Sequence, residues 1–152
     1  MSLDLITYRN AAVSHAQATG LFGNVLDHEP ISAPGNGLTY AVWVSDIMPV
    51  PAASGLDAMA VRLELTGRVY LPADVEPQGD VDAAVTGAVD ALVTAYAGDF
   101  EFGGAVRNVD LLGMHGAGLR ARFGYFQIGG PTYRIATLTV PLILNDIWNE
   151  VA

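Results

Sequence analysis

The residues VRLELTGRVYL, from Val61 to Leu71, carry the clearest structural pattern in the chain. Apolar side chains occupy every second position except at Gly67, and Arg, Glu, Thr and Tyr occupy the positions between them. This period of two is typical of a β-strand with one buried face and one wet face. The stretch therefore predicts a sheet that is covered on one side.

Two segments with helical periodicity can supply that cover. The first is capped by Asp4 and continues to Thr19, with Gly20 as its stop. The second is predicted at Val81–Ala97, with Asp80 as its cap. Each segment has apolar residues spaced three and four apart, so we expect one stripe of each helix to pack on the sheet.

The rest of the chain shows strand-like patterns separated by turn residues. Gly129 and Gly130 suit a tight hairpin, and Pro141, which lacks a backbone donor, suggests an edge position for the last strand. The order of helix, strands, helix, strands predicts a single α+β domain over residues 1–152, with two helices packed on a largely antiparallel sheet. Its further strands are predicted at Leu21–Leu26, Leu38–Met48, Val106–Leu112, Leu119–Ile128 and Thr132–Val140.

The composition excludes several classes of function. The 152 residues include no cysteine and no lysine, and seven arginines against sixteen acids leave a net charge of −9. Thiol chemistry and lysine-dependent phosphate loops are therefore ruled out. A chain this acidic is a poor candidate for gripping DNA, because that depends on basic groups. The sequence shows no membrane span and no signal-peptide pattern, so we expect a soluble protein of the cytoplasm.

No set of residues has the spacing of a catalytic or metal site. The three histidines, His15, His28 and His115, include no closely spaced pair of zinc ligands. The glycines at 35 and 37 begin like a dinucleotide-binding motif, but a strand pattern follows them where a helix is required. We therefore expect no enzyme activity, no cofactor and no metal.

The stretch YAGDFEFGGAVRNVDLLG, from Tyr96 to Gly113, combines charged and apolar residues. Arg107, Asn108 and Asp110 are interleaved with valines and leucines, so some polar groups must lie near buried surface. Buried charge is costly unless it is paired. A surface for assembly with other subunits is one function that fits this pattern.

Three arginines have two open interpretations. Arg107, Arg120 and Arg122 all lie within predicted strands. Each could pair with an acid of the same chain, or some could bridge subunits, because Arg suits partly desolvated interface pairs.

Four aromatic residues and one connection are similarly open. The aromatic residues could anchor contacts between subunits or pack in the core; they are Trp43, Phe100, Phe102 and Tyr125. The connection Met48–Gly55, which includes Val50, has two prolines and small residues, and we expect it to be ordered mainly by partners.

Three stretches together resemble the tail terminator proteins of long-tailed, siphovirus-type bacteriophages that infect actinobacteria. They are SAPGNGLTYAVWVSDIMPV at Ser32–Val50, the stretch Tyr96–Gly113, and PLILNDIW at Pro141–Trp148. The similarity covers nearly the whole chain and lies in local sequence and segment order.

The resemblance implies a structural virion protein of the phage neck. A homo-hexameric ring would cap the head-proximal end of the tail tube, stop addition of the tail tube protein, and offer a docking surface to the head-tail connector proteins. DNA would pass through the ring without specific binding, past acids that repel its phosphates. The protein would be made in the host cytoplasm and would contact no membrane.

Within the assembly that the resemblance implies, the sequence pattern itself selects particular residues. Arg107, Asn108 and Asp110 would form the side contact of the ring, and Met48–Gly55 would be ordered against the tube or the connector. The nearer alternative is another neck component, such as a head-to-tail connector or stopper protein. The more distant alternative is a small enzyme or ligand-binding domain that uses the concave face of the sheet.

Overall fold

The fold is described from a computed structural model, in which residues 4–50, 58–74, 77–114 and 116–149 are described. Two α-helices and six β-strands follow one another in these ranges, with a 3-10 turn at Phe102–Gly104. In chain order they are α1 (Leu5–Ala18), β1 (Asn24–Leu26), β2 (Thr39–Pro49), β3 (Ala58–Pro72), α2 (Gln78–Gly98), β4 (Asn108–Val109), β5 (Arg120–Gln127) and β6 (Thr132–Asn149).

The six strands form one mixed, mostly antiparallel sheet. Its order is β1-β2-β3-β6, and β4 and β5 both pair with the outer edge of β6. The pairing of β1 with β2 is parallel, and every other pairing is antiparallel. The predicted α+β class, with two helices on a largely antiparallel sheet, is confirmed.

Both helices pack on the same face of the sheet, which we call the helix face. Asp4 caps α1 as predicted, because its carboxylate accepts the backbone N–H of Thr7 at 3.3 Å. The small residues Ala12 and Ala16 are fully buried and let α1 approach the sheet closely. Apolar residues at alternate positions of β2, β3 and β6 complete the core. The opposite side of the sheet is called here the open face.

The second helix begins earlier than the sequence predicts. Pro77 is its N-cap, and the carbonyl of Pro77 accepts the N–H of Asp80 at 3.0 Å. Asp80 therefore lies in the first turn of α2, and the prediction that it is the cap was wrong. The extended ψ of Pro77, 149°, turns the chain into the helix without a side-chain cap.

The strand predicted at Val106–Leu112 is only two residues long. Before it, the N–H of Val106 donates to Glu101 O within the glycine turn, so Val106 takes no part in the sheet. After it, the chain turns at Asp110, whose carboxylate accepts the N–H of Met114 at 2.8 Å. Local hydrogen bonds at both ends therefore limit β4 to Asn108–Val109.

Pro141 does not mark an edge strand, so that prediction was wrong as well. It lies inside β6, opposite Glu64 of β3, and β6 continues to Asn149. Pro141 has no backbone N–H, and this is tolerated because neither β4 nor β5 has a residue paired with Pro141. On the outer side of β6, β4 ends opposite Leu142 and β5 begins opposite Thr139, while Pro141 O accepts the N–H of Asp110.

Candidate assembly surface

Among the described residues, two different strand edges of the sheet have no neighbouring strand. On one side, β5 pairs with β6 and with no other strand among the described residues. We call β4 and β5 together the β5 edge. On the other side, β1 pairs only with Thr39–Ala41, so the remainder of β2, Val42–Pro49, is also an edge. We call it the β2 edge.

The β5 edge lacks two of the usual protections of exposed strands, a bulge and a proline. Its register with β6 runs without a shift over eight residues, and it contains no proline. It also exposes aromatic side chains, with 44% of Phe123, 67% of Tyr125 and 39% of Phe126 accessible. Natural proteins usually blunt such edges, because an open row of backbone donors and acceptors pairs with other chains.

Two arginines on this edge have no ion pair within the described residues. Arg120 and Arg122 are both exposed, whereas Arg62, Arg9 and Arg134 each contact a carboxylate. The interpretation that Arg120 and Arg122 pair with acids of their own chain finds no support in the described ranges.

Arg107 and Asn108 flank the same edge. The backbone of Arg107 donates to Ile143 O of β6, and its exposed guanidinium reaches Asn145 Oδ1 at 3.4 Å. Asn108 is half-buried and pairs with Ile143 in the ladder. Asp110 is buried and its carboxylate accepts the N–H of Met114, so it helps to order the following loop.

The end of the β5 edge also carries an open apolar cavity of about 520 Å³. Phe100, Arg107 and Asn108 line it from one side. Leu112 and Met114, which are 94% and 84% exposed, line it from the loop after β4. Two large apolar side chains with this exposure, next to a half-exposed Phe100, indicate a contact surface.

Three of the sequence-nominated residues lie elsewhere. Phe102 is buried in the core, where it packs on Tyr96 and on His15. Val50 is buried in a small separate cluster on the open face. Met48 is 42% exposed on the β2 edge. The rest of the Met48–Gly55 connection, from residue 51 onward, lies outside the described residues.

Trp43 belongs to an arrangement that sequence reasoning missed. The guanidinium of Arg68 lies 5.4 Å from the centroid of Trp43 and 5.3 Å from that of Phe126, on the open face of the sheet. Its Nε also donates to Thr137 Oγ1 at 3.0 Å. Three different strands supply the three stacked groups, so the pattern within any one strand could not have predicted this stack.

The two described histidines each contact one aspartate. Groups of three or more acids and histidines that could hold a metal are absent from the described ranges. His15 Nε2 lies 3.0 Å from Asp99, and His28 contacts its neighbour Asp27, while His115 lies outside the described residues. Burial raises the pKa of Tyr96 well above its ordinary value, but that hydroxyl lies in the closed core.

Comparisons with known proteins do not extend the argument. A scan against protein-family models gives no match to the chain, and a search among curated proteins gives none either. Within the described ranges, neither helix combines the length and the apolar character needed to cross a membrane. The fold, the two edges and the exposed side chains therefore carry the functional argument.

Proposed function

We propose that this chain is a structural protein of a phage tail that assembles into a ring at the head-proximal end of the tail tube. The ring stops addition of tube subunits and offers a docking surface to the head-tail connector proteins. The resemblance to tail terminator proteins implies that the ring has six copies. DNA passes through it without specific binding, and the protein makes or breaks no covalent bond.

The observation that carries this proposal is the pair of unlike open edges. A closed ring needs two different, complementary surfaces on each subunit, so that each copy contacts the next in the same way. The β5 edge is basic and aromatic, with Arg120, Arg122 and Phe123 exposed. The β2 edge is different, with Asp46, Ile47 and Met48 exposed.

The apolar cavity beside β4 supports the same proposal. Phe100, Leu112 and Met114 expose apolar surface close to Arg107, in the stretch that carries the resemblance. An apolar centre with a charged rim is typical of protein contact surfaces. Arg107 and Asn108 therefore remain in the proposed side contact, while Asp110 acts by ordering the loop that carries Met114.

The acids of α2 fit a channel that does not hold DNA. Asp80 and Asp90 are exposed on the outside of the helix layer, and Asp82 is exposed but forms an ion pair with Arg134 of β6. Carboxylates that face a DNA channel repel phosphates and let the strand slide. The corresponding variant is Asp80→Arg with Asp90→Arg, which slows DNA ejection if α2 faces the channel and leaves ejection unchanged if it faces outward.

The deciding experiment is the tail-length distribution of a phage that lacks this gene, measured by negative-stain microscopy. Overlong, variable tubes without heads are the expected result. Complementation with the wild-type chain should restore a single length. Tails of normal length that fail to join heads would assign the protein to the connector side of the neck. Normal infectious particles would refute the assembly function.

A further inference from the structure

We propose that the ring is held together by strand pairing, in which the β5 edge of one copy lies against the β2 edge of the next. The inference rests on the proposed ring and specifies its side contact. The partner is a second copy of this chain, and the sheet continues from subunit to subunit.

The direction of the strands suits this contact. The strand β2 is antiparallel to β3, β3 to β6, and β6 to β5. It follows that β5 runs opposite to β2 within one copy. A neighbouring copy in the same orientation therefore presents its β2 antiparallel to β5, which is the more favourable pairing of adjacent strands.

The charges on the open face are complementary. Arg120 and Arg122 pair with Thr139 and Thr137 of β6, and these side chains point to the open face. Asp46 pairs with Glu64 of β3, which points to that face too. In a continuous sheet, side chains of neighbouring strands keep their face, so the two arginines of one copy meet the exposed Asp46 of the next.

The helix face offers apolar groups on both edges. Phe123 pairs with Ala136 of β6, and Ile47 pairs with Leu63 of β3, and both partners belong to the main core. Phe123 is 44% exposed and Ile47 is 36% exposed. Pairing of the two edges therefore covers apolar surface on one side while it brings opposite charges together on the other.

The register of the strands gives the offset between the two edges along the strand direction. Following the ladders across the sheet, Met48 and Asn108 lie in one row, and Trp43 and Arg120 lie in another. Because of the bulge in β2, the partner of Asp46, Glu64, is only two residues from Thr66, so Asp46 lies between these rows, about 7 Å along the strand from Arg120. A stagger of about two residues brings these two side chains together on the same face, and a closed ring of tilted strands requires a stagger of this kind.

The irregularities of β2 fit a curved contact. The register of β2 with β3 shifts between Val44 and Asp46, which marks a bulge in the exposed part of the strand. A bulge bends the strand and increases its twist. Pro49 then removes one backbone donor near the end of the edge. Together they favour a short, curved pairing over an open-ended stack of sheets.

The test uses the absence of cysteine and lysine from the chain. The double variant Ile47→Cys, Ala121→Cys places one thiol on each edge, both on the helix face, about 13 Å apart along the strand direction before any stagger. A bis-maleimide reagent that spans this distance should link copies into a ladder of bands that ends at the closed ring. Each single variant should stay at the monomer band.

The matched control pairs Ala121→Cys with Asp90→Cys, which lies on the exposed side of α2 and should give no ladder. Linkage of Ala121→Cys alone into dimers would show that two β5 strands pair with each other and would overturn the head-to-tail contact. The reagent is applied both to purified protein and to tails assembled with the variant.

The outcomes separate the contact from the function. Tails of controlled length that give no ladder would overturn the strand contact and leave the proposed function in place. A ladder from purified protein, with tail lengths that do not depend on the gene, would support the contact and refute the function. If the protein gives no ladder and tail length does not depend on the gene, both the strand contact and the proposed function are refuted.

Discussion

The ring of Tyr40 of β2 lies over Gly67 of β3, two residues along the strand from Val69, the ladder partner of Tyr40. A Cβ atom added at Gly67 would lie 2.6 Å from Tyr40 Cζ and closer still to the hydroxyl oxygen. The φ of Gly67 is not in the left-handed region, so space and not backbone conformation requires glycine at this position. Tyr40 is fully buried, and because protein interiors are close-packed, its ring cannot move aside at low cost.

Replacing Gly67 with alanine should therefore be strongly destabilising. We expect the free energy of unfolding to fall by about 3 kcal/mol, because added volume in a packed core displaces side chains and backbone. Urea denaturation measures the effect. The matched control is Gly124→Ala in β5, where no atom lies within 4 Å of the added Cβ and φ is ordinary. Equal stability of the two variants would show that Tyr40 does not need this space.

A chain of hydroxyl groups extends from Tyr40 into the helix layer. Tyr96 Oη donates to the carbonyl oxygen of Ala12 at 3.2 Å, and the hydroxyls of Tyr40 and Tyr96 are 2.9 Å apart. Because the single proton of Tyr96 is used on Ala12, Tyr40 is the donor to Tyr96. The sheet, α2 and α1 are thus joined through three residues in the core.

The variant Tyr96→Phe should cost about 1–3 kcal/mol, since it leaves the buried hydroxyl of Tyr40 without an acceptor. The double variant Tyr40→Phe, Tyr96→Phe should be less destabilised than the sum of the two single variants. Urea denaturation of all four proteins completes the cycle. Additive losses would contradict a direct bond between the two hydroxyls.

Alkaline pH should weaken the fold through the same pair. Burial raises the pKa of both Tyr40 and Tyr96 above the ordinary 10.0, so both stay neutral in the folded state. In the unfolded chain they lose protons near pH 10.0. The contribution of these two tyrosines to the free energy of unfolding is therefore constant below that pH and falls as pH rises above it. Each tyrosine should contribute about 1.4 kcal/mol per pH unit in that range.

Urea midpoints measured on either side of pH 10.0 check this expectation. The double variant Tyr40→Phe, Tyr96→Phe should show a flatter pH dependence than the wild-type chain, because it has two fewer groups to titrate on unfolding. Identical alkaline slopes would mean that other groups cause the loss of stability.

The sequence predicted the parts of the fold that depend on local pattern. The alternation around Leu63 and Leu65 located β3, and Asp4 located the start of α1, because burial on one face and capping act over a few residues. Pro141 was misinterpreted because its missing donor matters only if a strand lies opposite, and that depends on where β4 and β5 end. The pairing of strands beside β6 is a tertiary feature, so a local sequence pattern cannot predict it.

Only part of the candidate surface was predicted, because the rest of it also depends on tertiary pairing. Arg120 and Arg122 were nominated because arginine suits interfaces, and the structure places both on an open edge. Phe102 was nominated on the same kind of evidence and lies in the core, since an aromatic side chain after a helix suits either place. Asp46 was not nominated, because its importance depends on the pairing that puts it on an edge.

A partly buried ion pair contacts the loop that carries the exposed apolar residues. Arg62 is 3% exposed, lies 2.7 Å from a carboxylate oxygen of Glu64, and donates to the carbonyl oxygen of Ala117. The variant Arg62→Leu should cost about 3 kcal/mol, because it leaves Glu64 and the Ala117 carbonyl without their donor. It should also speed hydrogen exchange at Met114, whose N–H is bonded within the same loop.

The control for that variant is Arg9→Leu. Arg9 contacts Asp27 at 3.5 Å, and both side chains are partly exposed, so its removal should change stability by no more than about 1 kcal/mol. Unchanged exchange at Met114 in Arg62→Leu would show that the loop is ordered without this arginine.

The two unpaired arginines of β5 should matter for assembly and not for folding. In the variant Arg120→Gln, Arg122→Gln, the free energy of unfolding should change by no more than about 0.5 kcal/mol, because both side chains are exposed and form no ion pair within the described residues. Ring formation should weaken by about ten-fold or more, because the attraction to Asp46 is lost. Light scattering against protein concentration measures assembly, and thermal melting measures stability.

The control Asn10→Glu, Gln17→Glu changes the net charge by the same two units on the exposed side of α1 and should assemble normally. Equal weakening in both variants would point to overall charge repulsion, and normal assembly of the arginine variant would remove Arg120 and Arg122 from the contact.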